Sequence, residues 1–286
     1  MERKLIFDVG LNVGQDTAFY LSQGYRVLAI EADPTLAQSN RERFQRDIEA
    51  GNLEILNVGI AKEEGCAEFW ISEGRPQFNS FHKEIAARDC RRHYSIEVPT
   101  SRFGTVLKRF GVPCFLKIDI EGNDMLCLED LDSRNLPQYV SVESECPIDG
   151  GVASVEDGLR TLRQLRTVGY KQFKLIDQKS FCSLSVPAPL NYILDRFVQG
   201  WLLEPPLNGI RGSYWLSQRL MVKARLERKY RREFPVGSSG AWGEDTAGNW
   251  ISYEQAERAY QHYRESHFRD STVAPYSFWC DWHAKV

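Results

Sequence analysis

Residues 8–16 read Asp8-Val9-Gly10-Leu11-Asn12-Val13-Gly14-Gln15-Asp16, directly behind the apolar run Leu5-Ile6-Phe7. An apolar run ending in a glycine-punctuated bend reads as a buried strand, and Gln15 to Gln23 reads as a helix stopped by Gly24. Glycines at 10 and 14 let the backbone turn sharply and approach a ligand closely. The free amides at the start of the following helix then face polar or anionic ligand atoms.

The same alternation continues outward. Arg26 to Ile30 is a second strand-like run, ending at Glu31. Asp33 and Pro34 supply a helix cap and a first turn, and that helix is expected to reach about Ala50. Leu53–Val58, Phe115–Ile120, Tyr139–Val142 and Lys171–Ile176 read as further strands. Strands separated by helical patterns predict an α/β fold, Rossmann-like, with a mainly parallel sheet and helices on both faces. Ala67–Ser72 and Ser95–Val98 read as short strands around a polar stretch holding Asn79 and Ser80, placed at the carboxyl edge of the sheet. Leu159, Leu162, Leu165 and Val168 mark the core stripe of one more helix.

Residues 1–185 are expected to form this main domain, and 186–286 a C-terminal extension packed on it and contributing to the acceptor site. The extension is aromatic-rich: six of the seven tryptophans lie beyond position 200. Helices are expected over Tyr214–Arg232, basic at its end, and over Ser252–Ser266, with Tyr253, Ala256, Tyr260 and Tyr263 along one side.

The chain has 286 residues, 42% hydrophobic and 26% charged, with net charge −3. That balance supplies no global positive field for nucleic acid or an anionic membrane. Seven scattered cysteines form no CxxC pair, so neither a zinc site nor a disulfide framework has support. No stretch approaches the ~18 apolar residues of a spanning helix. The expectation is a soluble, cytoplasmic protein with no nucleic-acid partner.

A carboxylate at the end of the second strand, Glu31, can accept hydrogen bonds from ribose hydroxyls. The dinucleotide fingerprint GxGxxG requires a glycine where Asn12 stands. The loop therefore has one fewer point of close approach for a pyrophosphate. S-adenosylmethionine carries no phosphate and tolerates such a loop; a dinucleotide and a purely structural turn remain open on the residues alone.

Asp119 and Glu121 alternate at the end of the Phe115–Ile120 strand, and Glu143 and Glu145 end its neighbour. Clustered carboxylates repel, and one of them can be pushed toward a working pKa for proton transfer. The cluster offers oxygen ligands to a divalent ion, but no metal is assigned. Lys117 is expected to pair with one of these acids. His82, in a loop, is an alternative base or a solvated histidine. Within the glycine-rich segment 237–246, read as a lid, Trp242 and Asp245 are candidate acceptor contacts alongside Glu143 and Glu145.

Taken in order, DVGLNVGQD (8–16), IEADP (30–34), NVGIA (57–61), FNSF (78–81) and KIDIEGND (117–124) make the chain resemble the FkbM family of methyltransferases over roughly residues 4–145. The resemblance implies a class I methyltransferase fold, S-adenosylmethionine as donor, S-adenosylhomocysteine as product, and usually an oxygen acceptor, here a small molecule or glycan such as a sugar or natural-product scaffold. Carried over, Asp8, Gly10, Asn12 and Gly14 would line the methionine and ribose side, and Glu31 would hold the ribose. Asp33 and the Val58–Ile60 loop would border the adenine, with Asn79 and Ser80 in support. Asp119 and Glu121 would face the methyl group. Gly59 stands where many relatives have alanine. Competing readings are a nicotinamide-dependent oxidoreductase, an N-methyltransferase and a non-catalytic relative.

Overall fold

The alternation of short apolar runs with helical segments produces one large sheet and one small one. The computed structural model describes residues 3–145, 154–185, 221–266 and 279–286. Its strands are β1 Leu5–Val9, β2 Arg26–Ile30, β3 Leu53–Leu56, β4 Gly59–Ile60, β5 Gly65–Ser72, β6 His93–Ser101, β7 Phe115–Ile118, β8 Tyr139–Glu143, β9 Gln172–Asp177, β10 Ser183–Leu184 and β11 Cys280–Lys285. The helices are α1 Gln15–Ser22, α2 Pro34–Arg43, α3 Gln45–Glu49, α4 Lys83–Ala86, α5 Phe103–Phe110, α6 Asp124–Glu129, α7 Val155–Val168, α8 over 221–230 and α9 Tyr253–Ser266.

The large sheet runs β10-β9-β11-β8-β7-β1-β2-β3. From β8 to β3 all neighbours are parallel, and β11 is antiparallel to both β8 and β9. Strand order reverses beside β1, where β2 lies on one side and β7 on the other. In open α/β sheets this switch point leaves a crevice at the carboxyl ends of the strands.

Both faces are covered, as the near-continuous apolar strands require. On one face Phe7, Val9, Leu116, Ile118, Val140, Val142 and Trp282 pack with residues of α5, α6, α7 and α9. On the other, Ile6 and Phe115 pack with Phe19 and Tyr20 of α1 and with Phe234 and Ala241. Ser154 closes a capping box with Asp157 at the head of α7. In α9, Ala256, Tyr260 and Tyr263 are buried on one side, as their spacing predicts.

Three local features differ from the sequence expectation. The second helix breaks at Phe44, which leaves helical geometry and turns its ring under the loop at Gly14. The Phe115 strand ends at Ile118, because Glu121 adopts a left-handed backbone (φ 50°) that no ladder can continue. Residues Cys280–Lys285 complete the sheet: β11 is flanked by β8 and β9, so residues assigned to the extension form an interior strand. The start of the expected Tyr214–Arg232 helix lies outside the described residues; 221–230 is helical. Among the described residues no helix is long and apolar enough to cross a membrane.

Candidate active site

A cavity of about 600 Å³ opens at the carboxyl ends of β1, β2, β7 and β8, within the range of small-ligand sites. Its floor is the bend after β1. Gly10 N and Leu11 N both donate to Ile30 O at 3.0 Å, tying the bend to β2. Gly10 has φ 93°, and a Cβ there would lie 1.8 Å from Asp119 O. Only glycine lets the first and fourth parallel strands come this close.

Glu31 is held inside this floor. Its Oε2 accepts from Asn12 N at 2.7 Å and its Oε1 from Asp33 N at 2.9 Å. Each carboxylate oxygen has a second lone pair, and Glu31 lines the cavity. Burial pushes its pKa up to about 7, against the pull of the two amides.

The adenine side expected from the sequence is bounded by Val58, Gly59, Ile60, Asn79 and Phe81. The place of an alanine side chain at 59 is taken by Phe81: a Cβ on Gly59 would lie 2.2 Å from Phe81 Cζ. Asn79 Nδ2 donates to Asp33 Oδ2 at 3.0 Å, and its Oδ1 accepts from Ser72 N. Asp33 itself caps α2 through Thr35 N and Leu36 N. It therefore positions Asn79 and is not part of the cavity wall.

Asp8, Gly14 and Ser80 also act from behind the wall. Asp8 accepts from Thr17 Oγ1 at 2.6 Å and lies 3.2 Å from Lys117 Nζ. Gly14 is the left-handed N-cap of α1, fitted against Asn40 and Phe44. Ser80 Oγ donates to Glu121 O at 2.6 Å. Lys117, almost fully buried, donates to Gly10 O at 2.8 Å and lies 3.7 Å from Asp119. Burial opposes its charge, yet Asp8 and Asp119 outweigh burial and hold its pKa above the ordinary lysine value.

At the opposite end stand Asp119, Glu121, Glu143, Ser144 and Glu145. Asp119, Glu121 and Glu143 each offer an oxygen, and these atoms lie within 4.8 Å of one another. Asp119 and Glu121 converge through the left-handed turn at Glu121, not through strand alternation. Asp124 fastens that turn, accepting from Ile120 N and Gly122 N. Burial, and then Asp119, push Glu121 up to about 8 in spite of Arg88 at 3.6 Å. Burial, followed by Glu121, raises Glu143 well above the usual carboxylate range. Glu145 is neutralised by Arg264 at 2.7 Å and accepts from Tyr260.

His82 does not face this space. Its ring lies against Gly122, and its Nε2 lies 3.1 Å from Asn123 Oδ1; Asn123 in turn donates to Ile60 O. Trp242 stacks on Phe115 at 4.5 Å and 3° in the core, and Asp245 is bound by Lys229 and Tyr230. Neither belongs to the cavity wall, because the segment 237–246 dives beneath the sheet after Gly237. Its beginning does reach the site: Val236 and Gly237 line the cavity, fixed by Asp16, which accepts from Ser238 Oγ and Ser239 N. Sequence reading missed Asp16, Arg88, Asn123, Asp124, Arg264 and Val236. The Asp124 role alone had a local signal, a carboxylate two residues after a glycine at a helix start.

Residues 8–171, more than half of the chain, match the family model described as the methyltransferase FkbM domain. No curated protein matches the chain in sequence. Among solved structures, precorrin-8w decarboxylase from Methanobacterium thermoautotrophicum is similar with 13% identity over 62% of this chain and 69% of that one, TM-score 0.36. The O-methyltransferase TomG from Streptomyces achromogenes, solved with its methyl donor, gives 13%, 61%, 66% and 0.35. StiE O-MT gives 10%, 99%, 68% and 0.37.

Proposed function

The chain belongs to the FkbM methyltransferase family, and from that premise we propose that it transfers a methyl group from S-adenosylmethionine to a hydroxyl of a sugar or natural-product scaffold. The observation that carries this reading is the pairing, in one cavity, of a ribose-type acceptor at Glu31 with a carboxylate cluster at the other end. The donor set fits the cofactor. Gly10 leaves the space that a Cβ would fill, and Glu31 keeps one free lone pair on each oxygen for a vicinal diol. Asn12, Asn79 and the Val58–Ile60 loop flank it.

When bound, S-adenosylmethionine supplies an electrophilic methyl carbon on a sulfonium. The chain's own contribution is alignment and proton removal. Holding two reactants in line supplies a large part of such a rate enhancement. Asp119, at the cavity wall and 40% exposed in its side chain, takes the hydroxyl proton. Glu121 and Glu143 flank it and orient the acceptor, and a positioned base of this kind adds about 10²–10⁴-fold. The nicotinamide alternative has no observation in its favour.

The test is calorimetry with S-adenosylmethionine and S-adenosylhomocysteine, followed by transfer of a labelled methyl group to a panel of hydroxylated acceptors. Micromolar binding, severely weakened in Gly14→Val and Glu31→Ala, is expected. Wild-type affinity in both variants would refute the cofactor placement. Transfer to amines and not to hydroxyls would refute the oxygen acceptor.

A further inference from the structure

Four consecutive residues, Asn79 to His82, serve two ends of the cavity by turns. Asn79 and Phe81 belong to the side proposed for adenine. Asn79 Nδ2 donates to Asp33 Oδ2, and the Phe81 ring stands against Gly59 and meets Phe69 edge-on at 5.0 Å. Ser80 and His82 serve the turn that carries Glu121. Ser80 is fully buried; its Oγ donates to Glu121 O at 2.6 Å and accepts from His82 N at 3.0 Å. Its backbone exchanges two hydrogen bonds with Trp70 of β5, which anchors the segment to the small sheet. The His82 ring covers Gly122, where a Cβ would lie 2.6 Å from His82 Cδ2. Asn123 Nδ2 donates to Ile60 O at 2.8 Å, which turns its Oδ1 toward His82. An amide oxygen only accepts, so His82 Nε2 carries the proton of that 3.1 Å contact.

We propose that Ser80 and His82 are positioning residues that hold the Glu121 turn, and that the Asn79–His82 segment links the placing of Glu121 to occupancy of the wall that Phe81 builds. Glu121 has a left-handed backbone at φ 50°, which a residue with a side chain keeps only where its surroundings over-determine it. Asp124 fixes the amides on either side of the turn, Ile120 N and Gly122 N. The Glu121 carbonyl and the outer face of Gly122 are left to Ser80 and His82. The connections to the other wall are short. Phe81 lies between Ser80 and His82 in the chain, and Asn123 reaches Ile60 O in the loop that borders the cavity. A ligand pressed against Phe81 and Ile60 therefore acts on the same backbone that sets the Glu121 carboxylate at the acceptor end. This link rests on the proposed cofactor reading; the positioning of the turn does not.

The experiment is amide hydrogen exchange on the full chain, read at Ile120 and Gly122, with and without S-adenosylhomocysteine. In the empty protein, Ser80→Ala and His82→Phe (which keeps a ring over Gly122) should each accelerate exchange at both amides by about five- to tenfold, the effect of losing one hydrogen bond. His82→Gln restores a donor near the place of Nε2 and should return the wild-type rates. S-adenosylhomocysteine should slow both amides in the wild-type protein and leave them unchanged in His82→Phe, although the variant still binds it. Wild-type rates in both Ser80→Ala and His82→Phe overturn the positioning role. So does acceleration shared equally by the amides of β9 and β11, which marks a general loss of stability. Bound S-adenosylhomocysteine without effect on Ile120 and Gly122 of the wild type overturns the link. Failure to bind it at all defeats the cofactor reading and the link with it, while the rates in the empty protein still decide the positioning. If His82→Phe fails to fold, Ser80→Ala and the wild-type comparison decide both points.

Discussion

The Asn12 amide donates to Glu31 Oε2 at 2.7 Å, so the glycine bend after β1 and the acid after β2 form one rigid unit before any ligand arrives. Replacing Glu31 by Ala removes the proposed ribose acceptor and also leaves the Asn12 and Asp33 amides without their carboxylate partner. Hydrogen bonds to a charged group contribute about 1.5–3 kcal/mol each. A loss of S-adenosylhomocysteine affinity of roughly 10- to 100-fold is therefore expected in calorimetry. Unchanged affinity would exclude Glu31 from the ribose site.

Glu31 also sets a pH dependence. Its pKa in the empty protein lies about 7, above the ordinary 4.5. The ionised form accepts from ligand hydroxyls, so affinity should rise as pH increases through about 7. The unliganded fold should respond in the opposite sense. A carboxyl group whose folded pKa is raised contributes stability below its unfolded pKa and loses it as pH rises through the folded value. Melting temperature of the empty protein should therefore fall between about pH 4.5 and 7, less steeply in Glu31→Gln. An identical slope in that variant would assign the effect to other groups.

Gly59 and Phe81 should be energetically coupled. Gly59→Ala places a methyl group into the Phe81 ring and should displace it from the cavity wall, weakening cofactor binding. Phe81→Leu should relieve part of that loss. A double-mutant cycle should return a coupling energy of about 0.5–3 kcal/mol. Strict additivity would show that the ring moves aside without consequence.

Asp119→Asn should preserve S-adenosylhomocysteine affinity while turnover falls by about 10²–10⁴-fold. Parallel calorimetry and methyl-transfer rates separate the two effects. Equal activity would transfer the proton-accepting role to another group of the cluster.

Asp16 ties the segment after α8 to the head of α1. Asp16→Ala leaves Ser239 N and Ser238 Oγ buried without their acceptor, at about 1–3 kcal/mol. Amide exchange over 236–241 should accelerate in the variant. Protection equal to the wild type would show that the core packing of Ala241 and Trp242 alone holds the segment.

The parallel half of the sheet was legible in the sequence because each strand is a short apolar run and each is followed by a helical pattern. Asp8, Gly10, Asn12 and Glu31 were legible as a unit, although Asp8 serves Lys117 and Thr17 and not the cavity. The sequence could not reveal which acids face the cavity, since that depends on the left-handed turn at Glu121 and on contacts more than a hundred residues apart, such as Tyr260 with Glu145. The most instructive omission is Cys280–Lys285. Its residues alternate apolar and polar, Cys280, Trp282 and Ala284 against Asp281, His283 and Lys285. That period-two pattern marks a strand, but it is six residues long and lies beyond a region whose composition suggested an appendage.

The insertion of β11 between β8 and β9 also dictates an order of assembly. Residues 172–177 have no strand beside them on the sheet's inner side until 280–285 have been synthesised, more than a hundred residues later. The half built of β1, β2, β3 and β7 can close early from local β-α-β units, whereas the far half must wait with an open edge. Such distant pairing is slow to form, and the exposed edge invites association with other unfinished chains. Yield on expression should thus depend on how quickly the ribosome delivers that last strand.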